Sequence, residues 1–531
     1  MRPPPTSIGK AANQSRWRRD SASPSGMAHN TYQKRPHRSR LRARVSERDG
    51  ALSAAAQGRL RVRANSSTHW LASGWVEFSL ASIGITLNIG AYGSLLPVAL
   101  SALLVAVSLL ILAAPTCGGK EERDAFLRLF LVGFVMSGVA AIYASSFEDP
   151  TQLSLDAAHF FDLASRPATE IQLSFGDLLD QENGLAAAAW AAFYEAMAVL
   201  GFPRERYVGI LLNVAAVGMT GVIAVKATRR VFGDDPDRIR RLILLMSSCG
   251  LWWLFAGIHL RDAFVLLGVT ALFHSWTCFL DKPSFGMRFL GVCVTSAAGA
   301  AVLGSLRTEF VFVPIAMALT GTASLMAGRV KSALRVRVYA LVVIGFGLSV
   351  ALSVYQGQDF LSALVRGNEG YSEISIKESA TDSLGMAIIV DQPMPVRLLL
   401  GSGYMLVAPI PFWSGFQFER VYDLFKSASA LFFYFVIPLL VMGASRILTS
   451  SNERTPPLLF AFLLTVCVIV ATAGTSLESR HLGAFLVPMF ILAILSDTNL
   501  PAVRRTYRRL LVVTLSGMAI VHVAWAVLKM K

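Results

Sequence analysis

The sequence predicts an all-α, polytopic membrane protein with about 12–14 transmembrane helices and two long extracytoplasmic loops. Three observations carry this. Of 531 residues, 54% are hydrophobic and 16% charged, whereas a soluble domain carries about a quarter charged residues, and the mean hydropathy is +0.53. The apolar residues gather into thirteen runs, each near the length that about 30 Å of hydrocarbon demands of a helix. Finally, the Lys and Arg residues of the short loops fall on alternate ends of these runs, so that one side collects them.

The chain opens with a basic tail. Residues 1–70 hold 15 Lys or Arg against Asp20, Glu47 and Asp49, supplying +12 of the formal +15, so the net charge is not a nucleic-acid footprint spread over a domain. The tail is rich in Ser, Pro, Ala and Arg and lacks apolar periodicity, which predicts a disordered cytoplasmic segment over 1–72 ahead of a helical domain over 73–531. The cluster Lys34, Arg35, Arg38, Arg40, Arg42 and Arg44 is suited either to anionic lipid or only to fixing topology. No apolar stretch follows the basic residues until after residue 70, so no signal peptide is expected.

The runs lie near 74–92, 94–114, 126–144, 206–226, 241–258, 263–279, 287–304, 309–327, 337–354, 428–446, 457–475, 482–498 and 509–528. Residues 185–202 form either a further membrane helix or one lying at the interface, and the first two runs are parted only around Asn88 to Gly93. The loops 120–128, 226–241, 329–337 and 504–509 carry the basic residues and are predicted to be cytoplasmic; Lys529 and Lys531 are the exception. Two long loops, about 145–203 and 355–427, then face outward. In the second, the stretch 398–418 contains Pro409, Pro411 and Trp413 and is too broken for a straight spanning helix. Five cysteines without metal spacing read as buried small hydrophobes, and neither a metal site nor a cofactor is expected.

Against this apolar background three charged clusters stand at outward turns: His259-Leu-Arg261-Asp262, Arg307-Thr-Glu309 and Glu478-Ser-Arg480-His481. A charge at a helix end ordinarily anchors it and reaches for water. Outward arginines run against the positive-inside bias, however, and a guanidinium fork is well matched to phosphate. The first outer loop adds Asp156, His159 and Asp162. Trp252, Trp253, Tyr404, Trp413 and Tyr422 are candidates either for stacking on sugars or for an interfacial aromatic belt.

The stretch Tyr207–Trp276, with Asn213, Trp252, Trp253 and the His259–Asp262 turn, resembles multi-span bacterial polysaccharide polymerases (O-antigen and exopolysaccharide polymerases) and polyprenyl-phosphate-dependent membrane glycosyltransferases. Ser305-Leu-Arg307-Thr-Glu309, Glu478-Ser-Arg480-His481 followed by Pro488, and Asp156-x-x-His159-Phe-x-Asp162 are similar to further charged turns of those proteins. In layout the resemblance covers roughly residues 150–500, and the motifs are short. It implies sugar transfer from a polyprenyl-phosphate-linked saccharide at the outer face of the bacterial inner membrane, with membrane lipids and envelope polysaccharide assembly proteins as partners. It also implies roles: Arg261, Arg307 and Arg480 for phosphate; Asp156, Asp262, Glu478 or His481 as base; His159, Asp162, His259, Glu309 and Trp413 for substrate. His481 is expected to titrate near its ordinary value. The competing readings are a lipid-linked oligosaccharide flippase or other transporter and a noncatalytic envelope component. No P-loop, dinucleotide loop, zinc-protease helix or nucleic-acid module is present.

Overall fold

The computed structural model describes residues 74–114, 118–145, 155–166, 184–284, 286–327, 389, 392–417, 420–450, 453–475, 477–497 and 499–529. The predicted tail, the 337–354 run and much of both outer loops lie outside the described residues. All regular structure within them is helical: α1 (74–92), α2 (Leu96–Ala113), α3 (Lys120–Ser145), α4 (Leu155–Ser165), α5 (Gly184–Val199), α6 (Arg206–Phe232), α7 (Pro236–Ser248), α8 (Gly250–Gly257), α9 (Asp262–Asp281), α10 (Met287–Leu306), α11 (Val313–Ala327), α12 (Met394–Val407), α13 (Val421–Thr449), α14 (Pro456–Thr475), α15 (Ser479–Gly483), α16 (Leu486–Ala493) and α17 (Pro501–Lys529). Single 3₁₀ segments, Thr308–Phe312 and Phe412–Gln417, precede α11 and follow α12.

Among the described residues ten helices are long and apolar enough to cross a bilayer, or eleven if the bent pair α7 and α8 counts as one span. The protein is therefore a polytopic, all-α membrane protein. Burial grades across the bundle: the apolar window of α6 is 83% buried, against 22% for α2, 17% for α10 and 6% for α17. An apolar helix with an exposed surface belongs against lipid, so α6 is the axis and α2, α10 and α17 are the periphery. Small residues let α6 sit close to α3: a Cβ on Gly218 would lie 2.9 Å from the Phe126 ring, and one on Gly221 2.3 Å from Leu129.

Several expectations are corrected. The 482–498 run is no spanning helix but the two short pieces α15 and α16, and every residue from Leu486 to Ala493 is buried. A segment apolar on all sides suits the protein interior as well as lipid, and run length alone does not separate the two. The 241–258 run is bent by 63° between α7 and α8, where Gly250 presses on the backbone of Phe425 and Ser429 of α13. The helix α5 spans only 16 residues, about 24 Å, too short to cross alone. The 398–418 stretch is interrupted, as expected, between α12 and the Phe412–Gln417 turn, although Met394–Phe416 as a whole has the length and apolarity of a span. Cys249 is buried, whereas Cys293 and Cys467 are exposed on the apolar surface.

Gly443 of α13 meets α16 with no room to spare, since a Cβ there would lie 2.2 Å from the Leu492 carbonyl oxygen. Gly443→Ala is expected to cost about 1–3 kcal/mol through overpacking and to lower the thermal unfolding midpoint of the purified chain in detergent. Gly517→Ala, where nothing lies within 4 Å, is the control and should leave the midpoint unchanged or raise it. Equal midpoints for both variants would show that α16 is not clamped against α13.

Candidate functional site

The first cluster is held in place by Asn213, a buried amide two turns into α6. Its Nδ2 donates to the carbonyls of Ile258 (3.0 Å) and Leu260 (2.9 Å), and its Oδ1 accepts from the indole N–H of Trp190 at 3.1 Å. The chain leaves α8 in extended conformation at Ile258, where the Leu260 N–H donates to the Ile258 carbonyl at 2.8 Å and the interior amide adds a donor to both carbonyls. This clamp delivers Arg261 and Asp262 to the first turn of α9, where a carboxylate also faces the positive end of the helix.

Arg307 follows the last residue of α10, and its residue is 1% exposed. Its Nη1 donates to Asp262 Oδ1 at 3.0 Å, and its Nη2 lies 2.6 Å from His481 Nε2. A guanidinium has no lone pair to offer, so the ring nitrogen accepts and the neutral imidazole carries its proton on Nδ1. Phe310 packs beneath the guanidinium at 5.9 Å. Buried charge needs such pairing, and removing one partner of a pair like Arg307 and Asp262 costs about 3–5 kcal/mol.

The third cluster joins at the same place. Arg480 Nη1 donates to Asp156 Oδ2 at 3.0 Å, bringing the short helix α4 of the first outer loop against α15. Glu478 Oε1 accepts from the Tyr422 hydroxyl at 2.8 Å and lies 3.1 Å from Lys426 Nζ. Leu477, just before it, holds a left-handed φ of 52°, a strained conformation for a branched side chain that its near-complete burial maintains. The guanidiniums of Arg307, Arg480 and Arg261 all act electrostatically on the His481 ring, so three clusters scattered along the sequence form one network. The Arg480 Nε–H, shielded from solvent, has no hydrogen-bond partner among the described residues.

An aromatic wall adjoins the arginines. Arg261 lies over the Phe160 ring at 5.4 Å and Arg206 over Phe161 at 5.2 Å. His259 is 2% exposed, stacks on Trp190 at 4.1 Å between ring centres, and has Tyr194 Oη 3.4 Å from its Nε2. It is enclosed by the wall and does not line an open surface. Of the other substrate candidates, His159 is exposed on α4, and exposed Asp162 is paired within α4 to Arg166. Trp413 packs with His522 and Trp525 of α17. Glu309 lies in the Thr308–Phe312 turn, its side chain outside the described residues. Among the four candidate bases, the side chain of Asp262 is 7% exposed, that of Glu478 25% and that of Asp156 48%. Among the described residues no group of three or more His, Cys, Asp or Glu side chains is arranged to hold a metal ion.

Lys426, Arg206, Trp190 and Tyr194 are members of this neighbourhood that the motifs did not reveal. Lys426 carried one usable signal: it is the sole cation in the first two turns of α13, two residues before the predicted run. Trp190 and Tyr194 sit in a helix that is half alanine, and nothing local announces their partners.

The opposite ends of the same helices carry a second charged layer. Arg229, at the far end of α6, lies 2.7 Å from Glu121 and 3.1 Å from Asp234 and is also paired with buried Glu122. Twenty-seven residues of α6, about 40 Å, separate this basic end from the arginine network. Fold and site thus define a multi-pass membrane protein whose helices converge on a buried arginine network at the end remote from its basic loops. No family model, curated protein or solved structure matches the chain.

The expectation that His481 titrates near neutrality is overturned. Burial, with the Arg307 and Arg480 guanidiniums beside it, pushes its pKa well below 6.5. His259 is pushed down to about 3, first by burial and then by Arg206. Burial raises the Glu478 carboxyl, but Lys426, Arg480, His481 and the Tyr422 hydroxyl outweigh it and hold the group below its ordinary 4.5. Neither histidine is part of a spanning helix. Both are proton-poor when folded and take up a proton on unfolding below pH 6.5. Their contribution to stability is full above that pH and is lost as pH falls, at about 1.4 kcal/mol per pH unit each; that of Glu478 is lost only below about 4.5. His481→Gln, which can still accept from Arg307 without titrating, should flatten the decline in unfolding free energy between about pH 6.5 and 5. An unchanged slope in denaturant titrations would show that His481 does not titrate differently in the folded protein.

Proposed function

We propose that the protein transfers or polymerises sugars from a polyprenyl-phosphate or polyprenyl-diphosphate donor at the outer face of the bacterial inner membrane. One observation carries this reading: Arg307 contacts His481, with Arg480 and Arg261 near enough to act on its charge, while Asp156, the most exposed of the candidate carboxylates, is paired to Arg480 at the edge of the same network. Four cations (Arg261, Arg307, Lys426, Arg480) against three carboxylates (Asp156, Asp262, Glu478) leave one positive charge among these side chains. That suits a site which receives a phosphate.

In this reading the bond between the sugar anomeric carbon and the donor phosphate oxygen breaks, and the electron pair leaves with the phosphate. Arg480, with a donor to spare, and Arg261 stabilise the charge that develops there. An acceptor hydroxyl attacks the anomeric carbon, and Asp156 orients it and takes its proton. Asp262 and Glu478 are engaged by Arg307 and by Tyr422 and Lys426, which fits them to positioning. His481 already accepts from Arg307, which fits it to the same task. The basic loops at the other end of α6 agree with the outward placing of the network. The aromatic wall supplies apolar surface for sugar faces or the lipid's first isoprenes.

Arg480→Ala and Asp156→Asn, tested in cells whose surface polysaccharide depends on this protein, should each lower polymer formation by about 10²-fold. Lipid-linked precursor should accumulate on the outer leaflet. Precursor trapped on the cytoplasmic leaflet would replace this reading with a flippase, and normal polymer from folded variants would overturn it.

A further inference from the structure

A second polar feature lies at the basic end of the bundle, away from the arginine network. A cavity of about 220 Å³ opens between α6, α9 and α10, lined by Arg230, Ser275, Cys278, Arg288, Gly291 and Thr295 among others. Ser275 and Thr295 hydroxyls meet across it at 2.8 Å. Arg288 Nη1 donates to the Lys282 carbonyl at 3.2 Å. Arg230 has Asp281 as a distant counter-ion, 3.9 Å from its Nη1, beyond hydrogen-bond range. Three cations (Arg230, Lys282, Arg288) against one carboxylate (Asp281) leave two positive charges in and around the cavity. The N-terminus of α10 lies at the same end, and no atom stands within 4 Å of where a Cβ on Gly291 would be. The outer face of α10 is apolar and open, with Met287 82%, Leu290 54% and Val294 58% exposed. In a spanning helix those side chains touch acyl chains.

We propose that this cavity binds the phosphate of an anionic phospholipid headgroup in the cytoplasmic leaflet. The two guanidiniums offer the forked donors a phosphate needs, and the Ser275 and Thr295 hydroxyls, bonded to each other, make the wall between them polar. A basic pocket between spanning helices on the cytoplasmic side, flanked by lipid-facing side chains, is where such a headgroup is held. The hairpin it would brace, α9 to α10, begins at Asp262 and ends before Arg307, so the bound lipid supports the helices that carry the buried pair.

The test uses the full chain in detergent, observed by native mass spectrometry during titration with phosphatidylglycerol, phosphatidylcholine or glycerol phosphate. Wild type should retain phosphatidylglycerol about tenfold more strongly than phosphatidylcholine. Arg230→Gln/Arg288→Gln should lose this preference, whereas Arg508→Gln/Arg509→Gln, which removes two exposed cations of another basic segment, should keep it. Arg288→Gln alone, with an exposed side chain, is read if the double variant fails to fold and should weaken the preference. Equal losses in both double variants would reduce the effect to diffuse attraction, and no preference in wild type would remove the site. Glycerol phosphate binding as tightly as the lipid would overturn the lipid as its source.

Discussion

Arg307 is the residue on which the arginine-bearing end of the bundle depends. A guanidinium that is 1% exposed is tolerable only if its charge is compensated, and here Nη1 and Nη2 are met from two remote segments. Asp262 lies 45 positions away and His481 174, so this one side chain ties the α9–α10 hairpin to α15. It also decides the state of its partner. A ring nitrogen that accepts from a cation cannot easily take a second proton, and His481 is held neutral for that reason as well as by burial. A buried pair is weak evidence for net stability, since an apolar replacement often packs as well. What it supplies is register: Arg307 meets both partners where the start of α9, the end of α10 and α15 come together.

The same logic explains where polar groups stand in the bundle. Asn213 satisfies two carbonyls at the point where the chain leaves helical geometry, because unpaired backbone is expensive beside hydrocarbon. Charged pairs gather at the two ends of α6: the Arg229 group at one, and Arg206 with the arginine network at the other. The apolar length between them is what the bilayer requires, and the charges bracket it.

Much of this was legible in the sequence, and what was not has identifiable causes. The spans α3, α6, α9, α10, α13 and α14 coincide with apolar runs because composition alone marks a segment for the membrane. The convergence of the three charged turns was foreseeable from loop parity, since alternate ends of successive spans must share a side. The fate of 482–498 was not, because an apolar segment buried by protein and one bathed in lipid have the same composition. The environment of His481 was equally hidden: its ordinary pKa says nothing of a guanidinium contributed from 174 residues away. Lys426 escaped notice because its partner, Glu478, is brought to it only by the fold.

The distribution of burial within the network separates two kinds of work. Arg307, Asp262 and Asn213 are all nearly inaccessible and belong to long helices or their ends, so they are fixed by packing. Asp156 is half exposed and belongs to α4, an eleven-residue helix of the outer loop. It reaches the network through a single described ion pair, to Arg480. If the arginine-bearing end performs group transfer as proposed, Arg261 and Arg480 stabilise the leaving phosphate from beside the fixed group, where preorganised charge needs little rearrangement during reaction. Contact with the acceptor comes from the loop side, where α4 is held by few polar ties and by the seating of Phe160 and Phe161 against Arg261 and Arg206. An enzyme that transfers sugars from one kind of lipid-linked donor to successive acceptors has reason to be built this way, with a rigid anion site and an adaptable carboxylate facing it.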